Sequence, residues 1–274
     1  MTDPLDRIAA ALERLAPQPP DPADPLAHPA YLWRGTAIEV ARAFTPLPID
    51  ALIGVDRQRA ALIANCERLA AGLPAQDVML WGARGSGKSA LAVSSVAAVQ
   101  AAGGDLALVQ AAADRLETLP RLFAALAPVP RAFAVYLDDL GIDDQAEARA
   151  LRSMLEGGAE ARPRNVRMIV TANRRHLVPR SLDDADAVNP RDAADDILAL
   201  ADRFWLSLGF HAIDQAHYLA IVQSYADRHG LAFDAADAIG WALRRGARSG
   251  RVAWQYVIDL AGRSDRRIEP PVQS

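Results

Sequence analysis

Residues 77–89 read DVMLWGARGSGKS, and they indicate the fold class of the chain. Asp77 is followed by an apolar run, and together residues 77–81 predict a buried strand. A glycine-rich turn follows, and an Ala- and Val-rich pattern over 88–102 predicts a helix. A turn of this kind points backbone N–H groups and the positive end of the helix dipole at one spot, which is where phosphate groups bind. The spacing G-x-x-x-x-G-K-S therefore predicts a phosphate-binding loop.

Lys88 is the only lysine in a chain that has 30 lysine and arginine residues in total. A compact ammonium on a flexible stem can lie between the β- and γ-phosphates of a nucleotide, where a planar guanidinium does not fit. The alternative is a chance glycine turn, and a random match to this spacing is rare. We therefore expect ATP phosphates to contact Gly82, Ala83, Arg84, Gly85, Ser86, Gly87, Lys88, Ser89 and Ala90, with the Ser89 hydroxyl also binding Mg²⁺.

Strand and helix patterns alternate on both sides of this loop, which is typical of a parallel sheet covered by helices on both faces. We expect an α/β fold with a Rossmann-like P-loop NTPase core and a five-stranded parallel sheet. The predicted strands are 77–81, 106–110, 132–137, 166–171 and 205–208, and the predicted helices between them are 88–102, 114–126, 144–156 and 197–202. An acidic insert at 182–196 is expected to form a loop. Only helices are predicted beyond residue 210, over 214–229, 234–245 and 251–262.

The change from mixed to purely helical patterns predicts three parts of the chain: 1–29, 30–209 and 210–274. The first part combines a helical stripe over 4–16 with a proline-rich stretch, 17–29, that reads as an extended linker. The second is the nucleotide-binding domain, in which helix-like content over 31–47 and a helix over 56–72 precede the first strand. The third is a small helical lid.

The composition is that of an ordinary globular protein, with 51% hydrophobic and 23% charged residues. No apolar stretch approaches the ~20 residues of a membrane span, and the N-terminus lacks the layout of an export signal. A single cysteine, Cys66, excludes an internal disulfide and a multi-cysteine metal site, so we expect a buried core residue in a reducing cytoplasm. The net charge of −4 does not favour nucleic acid as a partner.

Two acids, Asp138 and Asp139, follow the apolar run FAVYL at 133–137. In P-loop NTPases an acid in this place holds Mg²⁺ through water, and the next one can orient or deprotonate the attacking water. The alternative is a pair of acids in an ordinary turn. The predicted phosphate loop lies one helix–strand–helix unit before these acids, which makes an ordinary turn the weaker interpretation. We therefore assign Asp138 to magnesium binding and Asp139 to the attacking water.

Three further polar residues are candidates because of where they stand relative to the predicted elements. Asn173 follows the fourth strand; inserting this strand between those of the loop and the acids would place Asn173 beside the γ-phosphate, although Asn also forms turns. Arg203 precedes the fifth strand and would face a neighbouring subunit as an arginine finger, or else form a surface ion pair. Arg251 lies in the first turn of the last helix, against the helix dipole, which favours an anionic partner such as ATP. Arg248 is a weaker candidate for that role.

With these residues in hand, the chain resembles the AAA+ superfamily in its order of Walker A, Walker B, sensor-one Asn, arginine finger and sensor-two Arg. The stretches GARGSGKSAL, DDL, LEGGAEARPRNVRMIVTANRRHLVPR, ADRF and RSGRVAWQ are similar to a family of bacterial AAA+ proteins of unknown function. The resemblance covers roughly residues 30–265. It implies ATP binding, a helical lid, and adenine contacts from Leu52, Ile53 and Gly54. Most AAA+ proteins have Glu where this chain has Asp139, and the 182–196 insert also departs from the family.

The resemblance leaves the partner open. The segment after the second strand, QAAAD at 110–114, lacks the aromatic and glycine residues of protein-threading members. A helicase loader or initiator acting with nucleic acid is one alternative, and a slow nucleotide-dependent switch with an unknown protein partner is another. A small-molecule kinase is disfavoured because no acceptor site is evident. We expect a nucleotide-dependent homo-oligomer in which Arg203 serves the next subunit.

Overall fold

The computed structural model describes residue 3 and residues 22–140, 162–173 and 204–268. Several predicted features lie outside these ranges and stay predictions. They are the helix over 4–16, the start of the proline-rich stretch, the helices over 144–156 and 197–202, the insert at 182–196 and Arg203.

Within the described residues, seven strands form one sheet. They are β1 (Ala30–Trp33), β2 (Ile38–Val40), β3 (Val78–Gly82), β4 (Leu106–Ala111), β5 (Ala132–Leu140), β6 (Val166–Asn173) and β7 (Leu206–Phe210). Their order is β2-β1-β4-β5-β6-β3-β7, and every neighbouring pair is parallel except β1 and β2. The five predicted strands are β3–β7, and β6 lies between β5 and β3 as the sequence analysis expected. Because these strands are parallel, their carboxyl ends meet at one edge of the sheet.

The helices of the described chain are α1 (Asp56–Ala70), α2 (Lys88–Ala101), α3 (Leu119–Leu126), α4 (Gln215–Arg228), α5 (Ala235–Arg244) and α6 (Gly250–Arg263). They confirm the predicted helices to within a few residues at each end. One difference is the helix predicted over 114–126, whose first half is a 3-10 turn, Ala113–Thr118. Pro120 lies in the first turn of α3, where proline favours a helix start, and this explains the break.

The helix-like interpretation of 31–47 is wrong, because this segment contains β1 and β2. Tyr31 and Trp33 are both buried, and β1 lies between β4 and the edge strand β2. The Trp33 indole N–H also donates to the Thr118 hydroxyl at 2.8 Å. Aromatic side chains pack well on a pleated sheet, so tertiary contacts outweigh the local helical pattern here.

Residues 22–29 do not behave as the extended linker that their prolines predicted. The Arg131 Nη1 group donates to the carbonyl oxygens of Pro25 and His28, at 3.0 and 2.7 Å. The Tyr31 hydroxyl donates to the carbonyl oxygen of Asp24 at 2.6 Å. The backbone of this segment is therefore fixed to the core by side chains that lie beyond it in the sequence.

The sheet is covered on both faces, and β5 shows how its residues divide between them. Phe133, Val135 and Leu137 face a cluster that includes the apolar side chains of α3. Ala134 and Tyr136 face the opposite cluster, which includes residues of α1 and α2. The period-2 alternation of a strand thus places Tyr136 on the side of the helix that follows the phosphate loop.

Helices α4–α6 have a hydrophobic cluster of their own, built around Tyr218, Trp254 and Tyr256. Each of these helices begins with a side-chain cap. Asp214, Asp234 and Ser249 accept hydrogen bonds from the backbone N–H groups of His217, Asp237 and Val252. Capping of this kind stabilises a helix by ~1 kcal/mol and explains why the predicted starts are close to the observed ones.

Candidate functional site

The glycine loop joins β3 to α2, and it touches the C-terminal helices directly. Gly85 has φ +76°, a backbone conformation that side chains rarely adopt. A Cβ at this position would lie 2.7 Å from Cβ of Ser249, the residue that caps α6. The loop conformation and the close approach of α6 both require glycine here.

Lys88, at the start of α2, is only 6% exposed. Its ammonium donates to the carbonyl oxygens of Gly82 and Ala83, at 3.1 and 2.8 Å, and to Oδ1 of Asn173 at 2.9 Å. Burial lowers the pKa of Lys88, and the negative charges of the two acids on β5 oppose that shift only in part. The ammonium is thus held inside the loop by backbone oxygens and one amide.

The Asp138 carboxylate is held by two hydroxyl groups from neighbouring elements. The Ser89 and Thr171 hydroxyls both donate to its Oδ1, at 2.8 and 2.7 Å. Within the described part of the chain, Oδ2 of Asp138 makes no hydrogen bond. Asp138 and Ser89 therefore lie side by side at the carboxyl edge of the sheet.

This donor set fits Mg²⁺. Magnesium sites commonly use one or two carboxylates and complete the coordination with waters and substrate phosphates. No group of three or more His, Cys, Asp and Glu side chains that could hold a metal occurs among the described residues. The site instead offers the Ser89 hydroxyl and the Asp138 carboxylate beside the phosphate loop. These few ligands suit an ion that binds together with a nucleotide, whose phosphates supply further oxygen ligands.

Asp139 has φ +50°, in a region that non-glycine residues seldom occupy. It lies at an irregularity in the pairing of β5 with β6, between Leu137 and Leu140. Its backbone N–H donates to the Thr171 hydroxyl at 2.8 Å, and its Oδ1 accepts a hydrogen bond from the Asn173 amide. Strained backbone of this kind is concentrated at functional sites.

A cavity of about 800 Å³ opens at this edge of the sheet. Its volume lies within the range of small-molecule pockets. Both acids of β5 line it, together with Asn173, Lys88 and Ser89. Three arginines also line it, none of which forms an ion pair with a described residue: Arg42, Arg84 and Arg251.

Among the residues expected to contact adenine, only Leu52 lines this cavity. Ile53 packs instead against the helical cluster of α4–α6, and its carbonyl oxygen lies 2.7 Å from Nε2 of His217. Gly54 has φ +75°, and a Cβ there would lie 2.3 Å from the His217 ring. The segment before α1 is thus in direct contact with α4.

Within the phosphate loop, the cavity is lined by Arg84, Gly85, Gly87, Lys88, Ser89 and Ala90. Ser86 is turned inward, and its hydroxyl donates to the Ala83 carbonyl at 2.7 Å. Arg251 reaches the cavity from the first turn of α6, whereas Arg248 is exposed outside it. The position of Arg203 lies outside the described residues.

The sequence analysis did not single out several residues that belong to this site. Thr171, two residues before Asn173 on the same strand, contacts both acids. The cavity is also lined by apolar groups from two separate parts of the chain, which are Phe44, Pro46, Tyr225 and Trp254. The alternation along β6 was a signal for Thr171, since residues two apart share a face.

Two comparisons with known proteins bear on this arrangement. The model of a family described as protein of unknown function (DUF815) matches residues 26–264. This match confirms the resemblance drawn from the sequence motifs. No curated protein matches the chain in sequence.

Solved structures with a similar fold include the Thermotoga maritima RuvB Holliday junction branch migration motor, with a TM-score of 0.51 and 18% identity. The match covers 83% of this chain and 70% of that one. The Aeropyrum pernix ORC1 protein in complex with DNA has a TM-score of 0.50 and 15% identity, covering 82% of this chain and 67% of that one. At these identities the similarity establishes the fold, which is the AAA+ P-loop fold. None of the described helices is long and apolar enough to span a membrane.

Proposed function

The chain belongs to the family described as protein of unknown function (DUF815), and we propose that it is an AAA+ ATPase that binds ATP with Mg²⁺ and hydrolyses it. One observation carries this proposal. Lys88 and Ser89 of the phosphate loop meet Asp138 and Asn173, from two other strands, at the edge of a single cavity. Each of these side chains is of the type that a phosphoryl-transfer site uses.

In this proposal the triphosphate enters the loop, and its oxygens replace the contacts that the loop makes with itself. Lys88 exchanges the carbonyl oxygens of Gly82 and Ala83 for phosphate oxygens. Ser89 and Asp138 hold the magnesium ion, which neutralises charge that develops on the phosphate oxygens. Arg84 and Arg251 face the same cavity and supply further positive charge to the phosphates.

Hydrolysis requires a water placed in line with the bond between the γ-phosphorus and the leaving oxygen of ADP. Asp139 is proposed to accept a proton from this water as its oxygen attacks the γ-phosphorus, while the electron pair of the broken bond leaves with ADP. The Asn173 amide orients the water. The present bond between Asn173 and Asp139 keeps both side chains at the cavity edge.

The base is proposed to lie against Leu52, Phe44 and the aromatic residues of the helical part, Tyr225 and Trp254, all of which line the cavity. Backbone groups of Ile53 and Gly54 remain candidates for adenine contacts, as the resemblance implies. The proposed domains are 1–29, 30–209 and 210–274, with the last acting as a lid. The contact between Gly85 and Ser249 supports a lid that responds to occupation of the loop.

We further propose a nucleotide-dependent homo-oligomer in which Arg203 reaches the γ-phosphate of the next subunit. A repeated head-to-tail interface gives a ring or a helix of subunits. If Arg203 acts in this way, Arg203→Ala lowers hydrolysis by about 10³-fold while ATP binding persists. Mixing this variant with Lys88→Ala should restore some activity, because an interface can then join an intact Arg203 to an intact Lys88.

The protein is proposed to act in the cytoplasm on a protein partner that hydrolysis remodels. The net charge of −4 supports this choice over a nucleic-acid loader. A loader would bind single-stranded DNA with a steep salt dependence, and a slow switch would bind its partner in an ATP-dependent way at low turnover.

The proposal is tested by phosphate release from Mg-ATP together with capture of partners on an Asp139→Asn variant. ATP-dependent phosphate release, and a protein retained only in ATP, support it. Release at the buffer rate over a wide range of protein concentrations would leave only the switch as a function for this site.

A further inference from the structure

Tyr136 carries a buried hydroxyl that has no hydrogen-bond partner among the residues that the structure describes. The residue is 1% exposed, and its hydroxyl is among the buried polar atoms left unpaired. It lies on β5, two residues before Asp138, and faces α2 on the same side of the sheet. The hydroxyl faces the side chains of Asp138, Ser89 and Thr171 but does not reach hydrogen-bond geometry with any of them.

An unpaired buried hydroxyl is costly, and such groups in folded proteins call for a specific explanation. The rest of the strand run FAVYL is apolar. A phenylalanine at 136 would fill the same space without the unpaired oxygen. The polar atom at this position therefore indicates a partner that is met in another state of the protein.

The neighbouring groups identify that partner. The Ser89 and Thr171 hydroxyls both donate to Oδ1 of Asp138. Thr171 is also bonded to the Asp139 N–H. Among the hydroxyls of this cluster, that of Tyr136 is the one whose proton no described group accepts.

We propose that Tyr136 is a positioning residue of the magnesium site, and that its hydroxyl donates to the Asp138 carboxylate when Ser89 turns toward the ion. This inference rests on the proposed function. Ser89 and Asp138 would hold a magnesium ion that arrives with the nucleotide, and the Ser89 hydroxyl would then no longer donate to Asp138. The carboxylate must then be steadied by donors that stay off the metal, and Tyr136 and Thr171 are the two such donors at hand. Tyr136 pairs only in the loaded state, so its hydroxyl favours that state over the metal-free one.

The test is Tyr136→Phe, which removes one oxygen and preserves the packing. A fluorescent ATP analogue is titrated at increasing MgCl₂ concentrations and in EDTA, and thermal unfolding of the nucleotide-free protein is measured alongside. We expect the MgCl₂ concentration for half-maximal binding to rise about tenfold, the usual effect of losing one hydrogen bond to a charged group. Binding in EDTA and the melting temperature of the free protein should not fall.

Tyr218→Phe is the matched control, because the Tyr218 hydroxyl is buried and already donates to the Ala238 carbonyl at 3.2 Å. It should lower the melting temperature and leave the MgCl₂ requirement unchanged. The inference is wrong if Tyr136→Phe keeps the wild-type MgCl₂ requirement, or if it destabilises the free protein as Tyr218→Phe does. If wild-type protein shows no magnesium-dependent binding of the analogue, the proposed function itself fails and this inference fails with it.

Discussion

The Lys88 ammonium donates to Oδ1 of Asn173 at 2.9 Å, across 85 residues of sequence. This bond joins the start of α2 to the end of β6, at the edge of the sheet where Asp138 and Asp139 also lie. The Lys88 side chain thus lies inside the loop, where it also donates to the carbonyl oxygens of Gly82 and Ala83. Phosphate oxygens entering the loop must compete with Asn173 and with backbone carbonyls, so binding should free Asn173 to orient water.

The two acids of β5 should respond differently to loss of their charge. Asp139→Asn should keep Mg-ATP binding and lower hydrolysis by about 10²–10⁴-fold, because the proton acceptor is gone. Asparagine tolerates positive φ, so the backbone at 139 should be undisturbed. Asp138→Asn should instead raise the MgCl₂ concentration needed for binding. Phosphate release and analogue binding measure the two effects, and wild-type hydrolysis in both variants would show that β5 is not catalytic.

Gly54→Ala should destabilise the protein more than Gly72→Ala does. Both glycines have positive φ, +75° and +69°, so the backbone penalty of ~1–2 kcal/mol is shared. Of these two positions, an added Cβ meets another described group only at Gly54, where it meets the ring of His217; at Gly72 no described atom lies within 4 Å. The difference in the free energy of unfolding, from urea titration, should therefore be about 1–3 kcal/mol.

Combining Gly54→Ala with His217→Ala should remove that difference, since the added methyl then has room. The double variant should lie close to Gly72→Ala once the separate cost of His217→Ala is subtracted. Equal destabilisation by Gly54→Ala and Gly72→Ala would show that α4 does not press on the segment before α1. This double-mutant cycle therefore measures the interaction free energy between residue 54, before α1, and His217 on α4.

Cys66 should be unreactive in the folded protein. Burial raises the pKa of its thiol to about 12, so the folded protein retains a proton that the unfolded chain loses near pH 9. Because the folded state binds more protons in that range, this residue's contribution to stability falls as the pH rises from about 9 to 12. A disulfide reagent at pH 8.5 should label the thiol only in denaturant. Labelling of native protein at the rate of a free thiol would contradict the buried placement.

Truncation should distinguish residues 22–29 from the chain before them. A chain starting at Ala30 loses the Asp24 carbonyl that pairs with Tyr31 and the two carbonyls that pair with Arg131. We expect its melting temperature to fall by about 5 °C or more. A chain starting at Pro22 keeps these contacts and serves as the control. Equal melting temperatures for the two truncated chains would show that residues 22–29 are a linker after all.

The sequence predicted those parts of the molecule that depend on local pattern. The loop at 82–89, the five strands β3–β7 and the approximate bounds of α4, α5 and α6 follow from residues close together in the chain. The sequence analysis expected the strand that ends at Asn173 to lie between the strand of the phosphate loop and the strand of the two acids, and β6 lies between β3 and β5. Lys88, Asp138 and Asn173 were placed at one edge because parallel strands bring their carboxyl ends together.

What the sequence did not predict depends on contacts between distant residues. The approach of His217 to Ile53 spans 164 residues, and the bond from Thr171 to Asp138 spans 33. β1 was missed because four residues are too few to establish an alternation. The sequence also could not predict that the Tyr136 hydroxyl has no hydrogen-bond partner among the described residues. A tyrosine in an apolar strand is interpreted as an ordinary core residue until the groups around it are known.

Calorimetric titration of Mg-ATP into wild-type and Lys88→Ala protein measures whether the loop at 82–89 binds ATP. Arg121→Ala is the matched control, because Arg121 is an exposed cation outside the cavity. The wild type and the control should give the same saturable heat, and Lys88→Ala should give none at equal concentrations while its melting temperature does not fall. Equal affinity in all three proteins would contradict the assignment of this loop to ATP.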